Sequence, residues 1–352
     1  MIYLDNIIFS LQKAGGISAV WANLIENLIS RTQDLRMIEY EDAYGNFFRQ
    51  NLNLQPDLII RKPATGGILR EFMSPRVVCD SPFIFHSSYF RTCPNPNAIN
   101  VNTVHDFIYE QGKMTLKQKI RTGLDYRAIR KSDAIVCVSE NTKLDLLKFL
   151  PDIDESKIRV IHNGVSEDFV RLPEIPYPEY GNHVLFLGGR QSYKNFSFVV
   201  KSLKDTDFSL LICGSPLSKA ETEMLESNLR GRYRHILFPV GSELNRIYNS
   251  VFALAYPSSY EGFGIPVLEA QRAGCPVIAM NISSIPEIIG EDALLISSPD
   301  KDEFLARLSE IKNPQRRHSV VETGLDNAKR FSWKRMADEY YSLYINLLRP
   351  QS

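Results

Sequence analysis

The stretch Ser258-Ser-Tyr-Glu-Gly-Phe-Gly-Ile-Pro-Val-Leu-Glu-Ala-Gln-Arg-Ala-Gly-Cys-Pro-Val-Ile-Ala279 decides how this chain is read. The run before it, Val251-Phe-Ala-Leu-Ala-Tyr256, is short and continuously apolar, the pattern of a buried parallel strand. Pro266 suits the first helical position, where its missing N–H would have no partner in any case. The segment therefore reads as strand, glycine-rich turn and helix N-terminus. Gly262 and Gly264 allow close approach of the backbone to a ligand. The helix start at Ile265 offers free N–H donors and partial positive charge, which suits a phosphate. Glu261 precedes the turn and Glu269 lies inside the helix. Carboxylates beside an anion site are suited to accept hydrogen bonds from hydroxyls, as a sugar or a ribose offers, and not to hold the anion.

Outward from this unit, short apolar runs alternate with helical patterns along the whole chain. Ile2–Phe9 reads as a first strand, then a loop through Gly15-Gly16 and an amphipathic helix to about Ser30. Further strands are expected at 35–40, 57–61, 83–86, 99–104, 134–138 and 158–162, with helices at 114–131 and 140–149. The proline- and acid-rich stretch 165–182 reads as an interdomain linker. A second series follows, at 183–187, 208–213, 235–239, 252–256, 276–280 and 293–296, then a last helix from Trp333 to Leu348. Two successive βα series imply an α/β protein of two Rossmann-like, doubly wound parallel-sheet domains, 1–164 and 165–332, with ligands at the strand C-terminal ends.

Composition narrows the classes. The 352 residues carry 41 Lys or Arg against 41 Asp or Glu, which argues against binding nucleic acid by bulk charge. The five cysteines are scattered, without C-x-x-C spacing, and point to a reducing compartment and no structural zinc. Asp5 and Asn6 interrupt the N-terminal apolar run, which reads as a strand and not a signal peptide. No stretch approaches the roughly 20 apolar residues needed to span a bilayer.

Other residues fall where chemistry is expected. The strand Leu185-Phe-Leu ends in Gly188-Gly189, and Arg190 and Lys194 follow in the next loop. Arg clamps a diphosphate bidentately and Lys adds a point charge. His105-Asp106 closes the run Ile99–Val104, at the ligand edge of such a sheet. His86, Tyr89 and Arg91 stand at another strand end and are candidates to line an acceptor side; a histidine with no such role fits equally. Gln12 and Lys13, in the loop before Gly15, are further acceptor candidates. The segment 113–131 holds seven Lys or Arg and one acid, with Leu116, Ile120 and Leu124 on one face. That pattern fits a helix at an anionic membrane, one meeting a phosphorylated acceptor, or a core-facing helix with a solvated basic side. The Asp-x-Asp pairs Asp152–Asp154, Asp205–Asp207 and Asp300–Asp302 sit at turns and helix starts and read as caps, not metal ligands.

The run 258–279, continued by Ser283-Ser-Ile-Pro-Glu-Ile-Ile289, resembles the Glu-x7-Glu signature of retaining GT-B glycosyltransferases (glycosyltransferase family 4, glycosyl transferases group 1), of the bacterial polysaccharide and O-antigen type. The resemblance implies a GT-B fold, two Rossmann-like domains facing a central cleft, with the last helix returning to the first domain. It implies that Glu261 contacts the donor sugar and that Glu269 holds the ribose. The backbone of Gly262, Phe263, Gly264 and Ile265 would meet the diphosphate, and Arg190 and Lys194 would neutralise it. Gly15 and Gly16 match the family's glycine loop, facing donor phosphates or acceptor, and His105 matches a histidine on the donor sugar.

The implied reaction is metal-independent transfer of a hexose from a UDP- or GDP-linked sugar, a co-substrate and not a cofactor, to a sugar or lipid-linked acceptor. The family's usual route is a front-face displacement. The implied setting is surface-polysaccharide, lipopolysaccharide or glycolipid synthesis in the cytoplasm or at the inner face of the plasma membrane, with 113–131 as a possible anionic-membrane contact. A GT-B phosphorylase, a sugar-nucleotide epimerase and an inactive sugar-nucleotide-binding subunit remain alternatives. A dinucleotide-dependent oxidoreductase is weaker, because the first βα turn lacks G-x-G-x-x-G.

Overall fold

The structure, a computed structural model, describes residues 1–64, 70 and 72–349. It divides into two compact units, Met1–Gly164 with the C-terminal segment from Trp333, and Val165–Ser332.

Among the described residues, seven strands build the first unit: β1 Ile2–Asp5, β2 Leu35–Tyr40, β3 Ile59–Lys62, β4 Phe83–Ser87, β5 Ala98–Val104, β6 Ala134–Cys137 and β7 Ile158–Val160. Their order is β3-β2-β1-β4-β5-β6-β7 and the pairings are parallel. Six build the second: β8 His183–Leu187, β9 Ser209–Gly214, β10 Tyr233–Leu237, β11 Ala253–Tyr256, β12 Val277–Met280 and β13 Leu294–Ile296. These run β10-β9-β8-β11-β12-β13, again parallel. Parallel strands are covered on both faces, so they are written as unbroken apolar runs. Ala253, Leu254, Ala255 and Tyr256 are all buried, as are Ala134, Ile135, Val136 and Cys137. In each sheet the connection reverses direction once, between β1 and β4 and between β8 and β11. Loops leaving the strand ends on either side of such a reversal splay apart and leave a crevice for ligand.

The first strand is shorter than its apolar run suggests. β1 stops at Asp5, and Ile8–Leu11 forms a helical turn. Asn6 causes the stop: it receives a hydrogen bond from Trp21 Nε1 at 2.8 Å and donates to Glu39 Oε1 at 3.1 Å. The stretch 165–182 is not a free linker. Val170 N–H donates to Asn245 Oδ1 at 3.0 Å and Leu172 N–H to Asn249 Oδ1 at 2.7 Å, which ties it to the helix Gly241–Ser250 of the second unit.

The helix Trp333–Leu348 belongs to the first unit. Its Tyr344 hydroxyl meets His86 Nδ1 at 2.6 Å, and its Tyr340 hydroxyl meets Thr103 Oγ1 at 2.8 Å. Arg31 pairs with Asp338 at 2.6 Å.

Candidate functional site

In the second unit, the loops after β8 and β11 flank the reversal point and are stapled to each other. Asn195, in the left-handed conformation at φ 53°, donates from Nδ2 to Pro257 O at 2.8 Å and Ser259 Oγ at 2.7 Å. Ser259 N–H donates to Tyr193 O at 2.7 Å. This brings Lys194 against Glu261: the ammonium is paired with Oε1 of that carboxylate, and both side chains are largely buried. The ring of Tyr256 lies 5.3 Å from Lys194 Nζ, and its hydroxyl is bonded to Glu261.

The turn after Glu261 is pinned from below. Buried Ser284 donates to Glu261 O at 2.9 Å and to Phe263 O at 3.1 Å, and Glu261 N–H donates to Ser283 Oγ at 2.9 Å. Gly262, Phe263 and Gly264 are buried. Gly264 has φ +103°, which side-chain-bearing residues rarely adopt, and a Cβ there would stand 2.9 Å from Ile285 Cδ1. It is the N-cap of the helix Ile265–Arg272, and no side chain caps that end. Pro266 has no N–H and the Val267 N–H donates to Gly264 O at 3.0 Å, so the amides this end can offer a ligand are those of Gly264 and Ile265.

Glu269 lies on the same helix and accepts a hydrogen bond from Tyr248 at 3.1 Å. Burial pushes its carboxyl up to about 7, against the lowering effect of the Tyr248 hydroxyl. Arg190 turns a different way from Lys194. Its guanidinium pairs with Glu221 at 2.6 Å, beside the end of β9.

In the first unit, a cavity of 1230 Å³ opens at the C-terminal ends of the strands, lined in part by Gln12, Tyr89, His105, Phe107, Ile120 and Tyr126. His105 is partly buried, and burial pushes its ring down to about 4, so it is neutral at physiological pH. Gly15 caps the helix Gly16–Ile29, whose first turn carries no acid. Lys13 is exposed beside it.

Two acceptor-side candidates are placed elsewhere. His86 is fully buried and uses both ring nitrogens, on Tyr344 and on Thr103 at 2.9 Å, so it is a core residue that docks the last helix. Arg91 is buried against Asp5, 3.3 Å away, and donates to Tyr40 at 2.8 Å. Tyr89 does line the cavity, and its hydroxyl accepts from Arg121 at 2.6 Å.

The basic helix Leu116–Arg130 buries Thr122, Ala128 and Ile129, not the face through Leu116 and Ile120. Leu116 and Ile120 are 76% and 60% exposed and stand at the cavity. The Asp-x-Asp residues have structural partners: Asp154 and Asp300 accept backbone N–H groups at 2.9 and 2.8 Å, and Asp152 pairs with Arg130. Among the described residues, no group of three or more His, Cys, Asp or Glu is arranged to hold a metal ion.

Sequence reading missed Asn195, Ser283, Ser284, Tyr248 and Glu221 as parts of the site. Ser283 and Ser284 lay in the run that continues the family resemblance, and Glu221 left the Ser-x-x-Glu capping pattern Ser218–Glu221.

Comparison with known proteins gives matches to both halves of the chain. The description "Glycosyl transferases group 1" matches residues 173–326, and "Glycosyltransferase Family 4" matches residues 14–169. The O-antigen chain mannosyltransferase B of Escherichia coli is 32% identical over 124 residues, a match that spans 35% of this chain and 32% of that protein. An uncharacterized glycosyltransferase of Methanocaldococcus jannaschii is 24% identical over 92% of this chain and 93% of its own. The Anabaena protein HepE, solved in complex with UDP and glucose, superposes with TM-score 0.73 at 12% identity, covering 98% of this chain and 100% of that one.

Proposed function

The chain belongs to the group 1 glycosyl transferases of the family 4 type with the GT-B fold, and from that premise we propose that it is a metal-independent retaining hexosyltransferase using a UDP- or GDP-linked sugar. The observation that carries this reading is the Lys194–Glu261 pair at the reversal point of the second sheet, beside the open N-terminus of the helix Ile265–Arg272. The two charges neutralise each other. Each is the kind the donor requires: a cation for its diphosphate and a carboxylate for the hydroxyls of its sugar.

In the proposed step the acceptor oxygen bonds to the anomeric carbon on the face from which the phosphate leaves. The anomeric C–O bond breaks with its electron pair on the diphosphate, and the acceptor proton passes to a phosphate oxygen. Arg190, Lys194 and the amides of Gly264 and Ile265 stabilise the charge that grows on the leaving group. Glu261 and His105 serve the sugar, and Glu269 serves the ribose.

The apolar character of the first-unit cavity, with Leu116 and Ile120 exposed among Lys113, Lys117 and Lys119, favours a lipid-linked acceptor taken at an anionic membrane surface. On this reading the activity belongs to surface-polysaccharide or glycolipid synthesis on the cytoplasmic side. The names of the O-antigen relatives support that setting.

A thermal-shift panel of UDP, GDP, ADP and their sugars tests the reading. One nucleoside diphosphate should raise Tm by mass action. Its sugar should then be consumed in the presence of EDTA and of acceptor, without orthophosphate. A strict need for orthophosphate would make the protein a phosphorylase, and restoration of chelated activity by manganese would overturn the cation-and-amide account of the leaving group.

A further inference from the structure

Arg190 is held in a way that points to one more residue of the site. Its side chain is 5% exposed. Nε donates to Glu221 Oε1 at 2.6 Å, and Nη2 donates to the carbonyl oxygens of Ser215 at 3.0 Å and Pro216 at 2.7 Å. Nη1 is buried yet has no hydrogen-bond partner among the described residues. A guanidinium is a rigid plane of five donors, so fixing one side of it fixes the direction of the other.

The free edge lies where a ligand is expected. A Cβ built on Gly214, the last residue of β9, would be 3.7 Å from Nη1 and 2.6 Å from Gly188 O. Nη1 thus stands at the C-terminal edge of the sheet beside Gly214, whose missing side chain lets the Gly188 carbonyl pack close. A buried, unpaired N–H group is costly to maintain unless something binds it.

The clamp is itself fixed. Ser218 N–H donates to Glu221 Oε2 at 2.7 Å, and Glu221 N–H donates back to Ser218 Oγ at 3.3 Å, closing the capping box of the helix Lys219–Leu229. One carboxylate therefore caps a helix and grips Arg190. Burial acts to raise its pKa, but the bonds from Arg190 and Ser218 outweigh this and hold it down to about 2. The clamp stays ionised throughout the physiological range.

We propose that Glu221 is a positioning residue for the leaving group: by holding Arg190 through Nε it presents the Nη1 edge to the diphosphate of the nucleotide. This rests on the glycosyl-transfer reading of the site.

The test is calorimetric titration of the full chain with UDP and UMP, and with GDP and GMP. The ratio of diphosphate to monophosphate affinity reports the terminal phosphate contact. Wild type should prefer the diphosphate, and Arg190→Ala should lose most of that preference. Glu221→Gln preserves the cap, since Gln also closes a capping box. It should keep Tm near wild type yet weaken diphosphate binding about 10-fold, within the range of a charge-assisted hydrogen bond, with monophosphate binding unchanged. In an Arg190→Ala background Glu221→Gln should add nothing. Ser218→Ala should lower Tm and keep the ratio. Unchanged or tighter diphosphate binding in Glu221→Gln, or the same loss repeated without Arg190, overturns the positioning role alone. A wild-type protein that binds none of these nucleotides overturns the glycosyl-transfer reading itself.

Discussion

Glu261 and Glu269 carry the same functional group in different settings, and the proposed reading gives them different work. Glu261 is paired with Lys194 before the turn, where the transferred sugar would lie. Glu269 sits on the helix behind it, bonded to Tyr248, with its carboxyl raised to about 7 by burial. A ribose contact is made equally in the ground and transition states, so its loss weakens binding; a contact to the reacting sugar can strengthen as charge develops. Glu269→Ala should weaken nucleoside diphosphate binding about 10-fold or more, while Glu261→Ala should lower kcat on the order of 100-fold and leave nucleotide binding nearly intact. The reverse pattern would mean the roles are exchanged. The raised carboxyl adds a pH signature. Its folded value lies above the ordinary glutamate value of 4.5, so the stability it contributes is present below 4.5 and is lost as pH rises through about 7. Glu269→Gln should therefore raise Tm more at pH 8 than at pH 5.5. Wild type should bind UDP better at pH 8 than at pH 6 by a margin that the Gln variant lacks, a difference in which the titration of the nucleotide itself cancels. The two roles follow from the family resemblance, but the burial of Glu269 against Tyr248 was not legible from residue spacing, because Tyr248 stands 21 positions before Glu269 and only the packed helices bring them together.

Strands were the most legible elements, for a physical reason: parallel strands buried on both faces leave no room for polar residues, and every run from 183–187 to 293–296 became a strand within a few residues of its expected place. Short apolar runs at an element's end were less informative. Ile7-Ile8-Phe9 continues the first strand by composition, yet it turns helical because buried Asn6 ends the strand. The basic helix shows the same ambiguity. Its apolar spacing fits a core face, a membrane face or an acceptor face equally; the core takes Thr122, Ala128 and Ile129 and leaves Leu116 and Ile120 exposed. Exposed apolar residues flanked by Lys113, Lys117 and Lys119 are the pattern of an interfacial helix. Full-length protein should therefore co-sediment with vesicles containing anionic lipid, less so as salt rises, since surface attraction is screened beyond a Debye length of about 10 Å at 0.1 M salt. Changing Lys113, Lys117 and Lys119 to Glu should abolish the binding. Arg121 is best left intact, because it donates to Tyr89 and its loss would disturb the cavity wall. Equal sedimentation with neutral and anionic vesicles would leave the helix as an ordinary solvated face.

At the scale of the molecule, the two ends of the chain share one folding unit. The last helix fills a face of the first sheet and supplies the tyrosines that satisfy His86 and Thr103. Burial pushes the His86 ring down to about 3, so it stays neutral, and a neutral buried imidazole needs partners for both nitrogens. The second unit has a separate core, built around Val184, Phe186, Leu210, Ile212 and Ala255. Ending the chain at Ser332 should therefore act on one unit selectively. It removes Tyr340, Tyr344 and Asp338 together, leaving His86 Nδ1 and Arg31 without those partners and uncovering apolar surface along Phe83–Ser87 and Gly16–Ile29. Each buried polar group left unpaired costs about 1–3 kcal/mol, and each large side chain lost from a packed face costs a similar amount or more, a large part of a typical domain's margin. The first unit should then be cleaved rapidly by a low dose of trypsin, while a fragment close to 165–332 survives. UDP or GDP, whichever stabilises the full chain, should still raise the melting temperature of the surviving fragment, because Arg190, Lys194, Glu261 and Glu269 all lie within it. A truncated chain that resists trypsin throughout would show that the helix is dispensable for the first unit. A resistant fragment that no longer responds to nucleotide would instead move the donor phosphates away from the β8 and β11 strand ends.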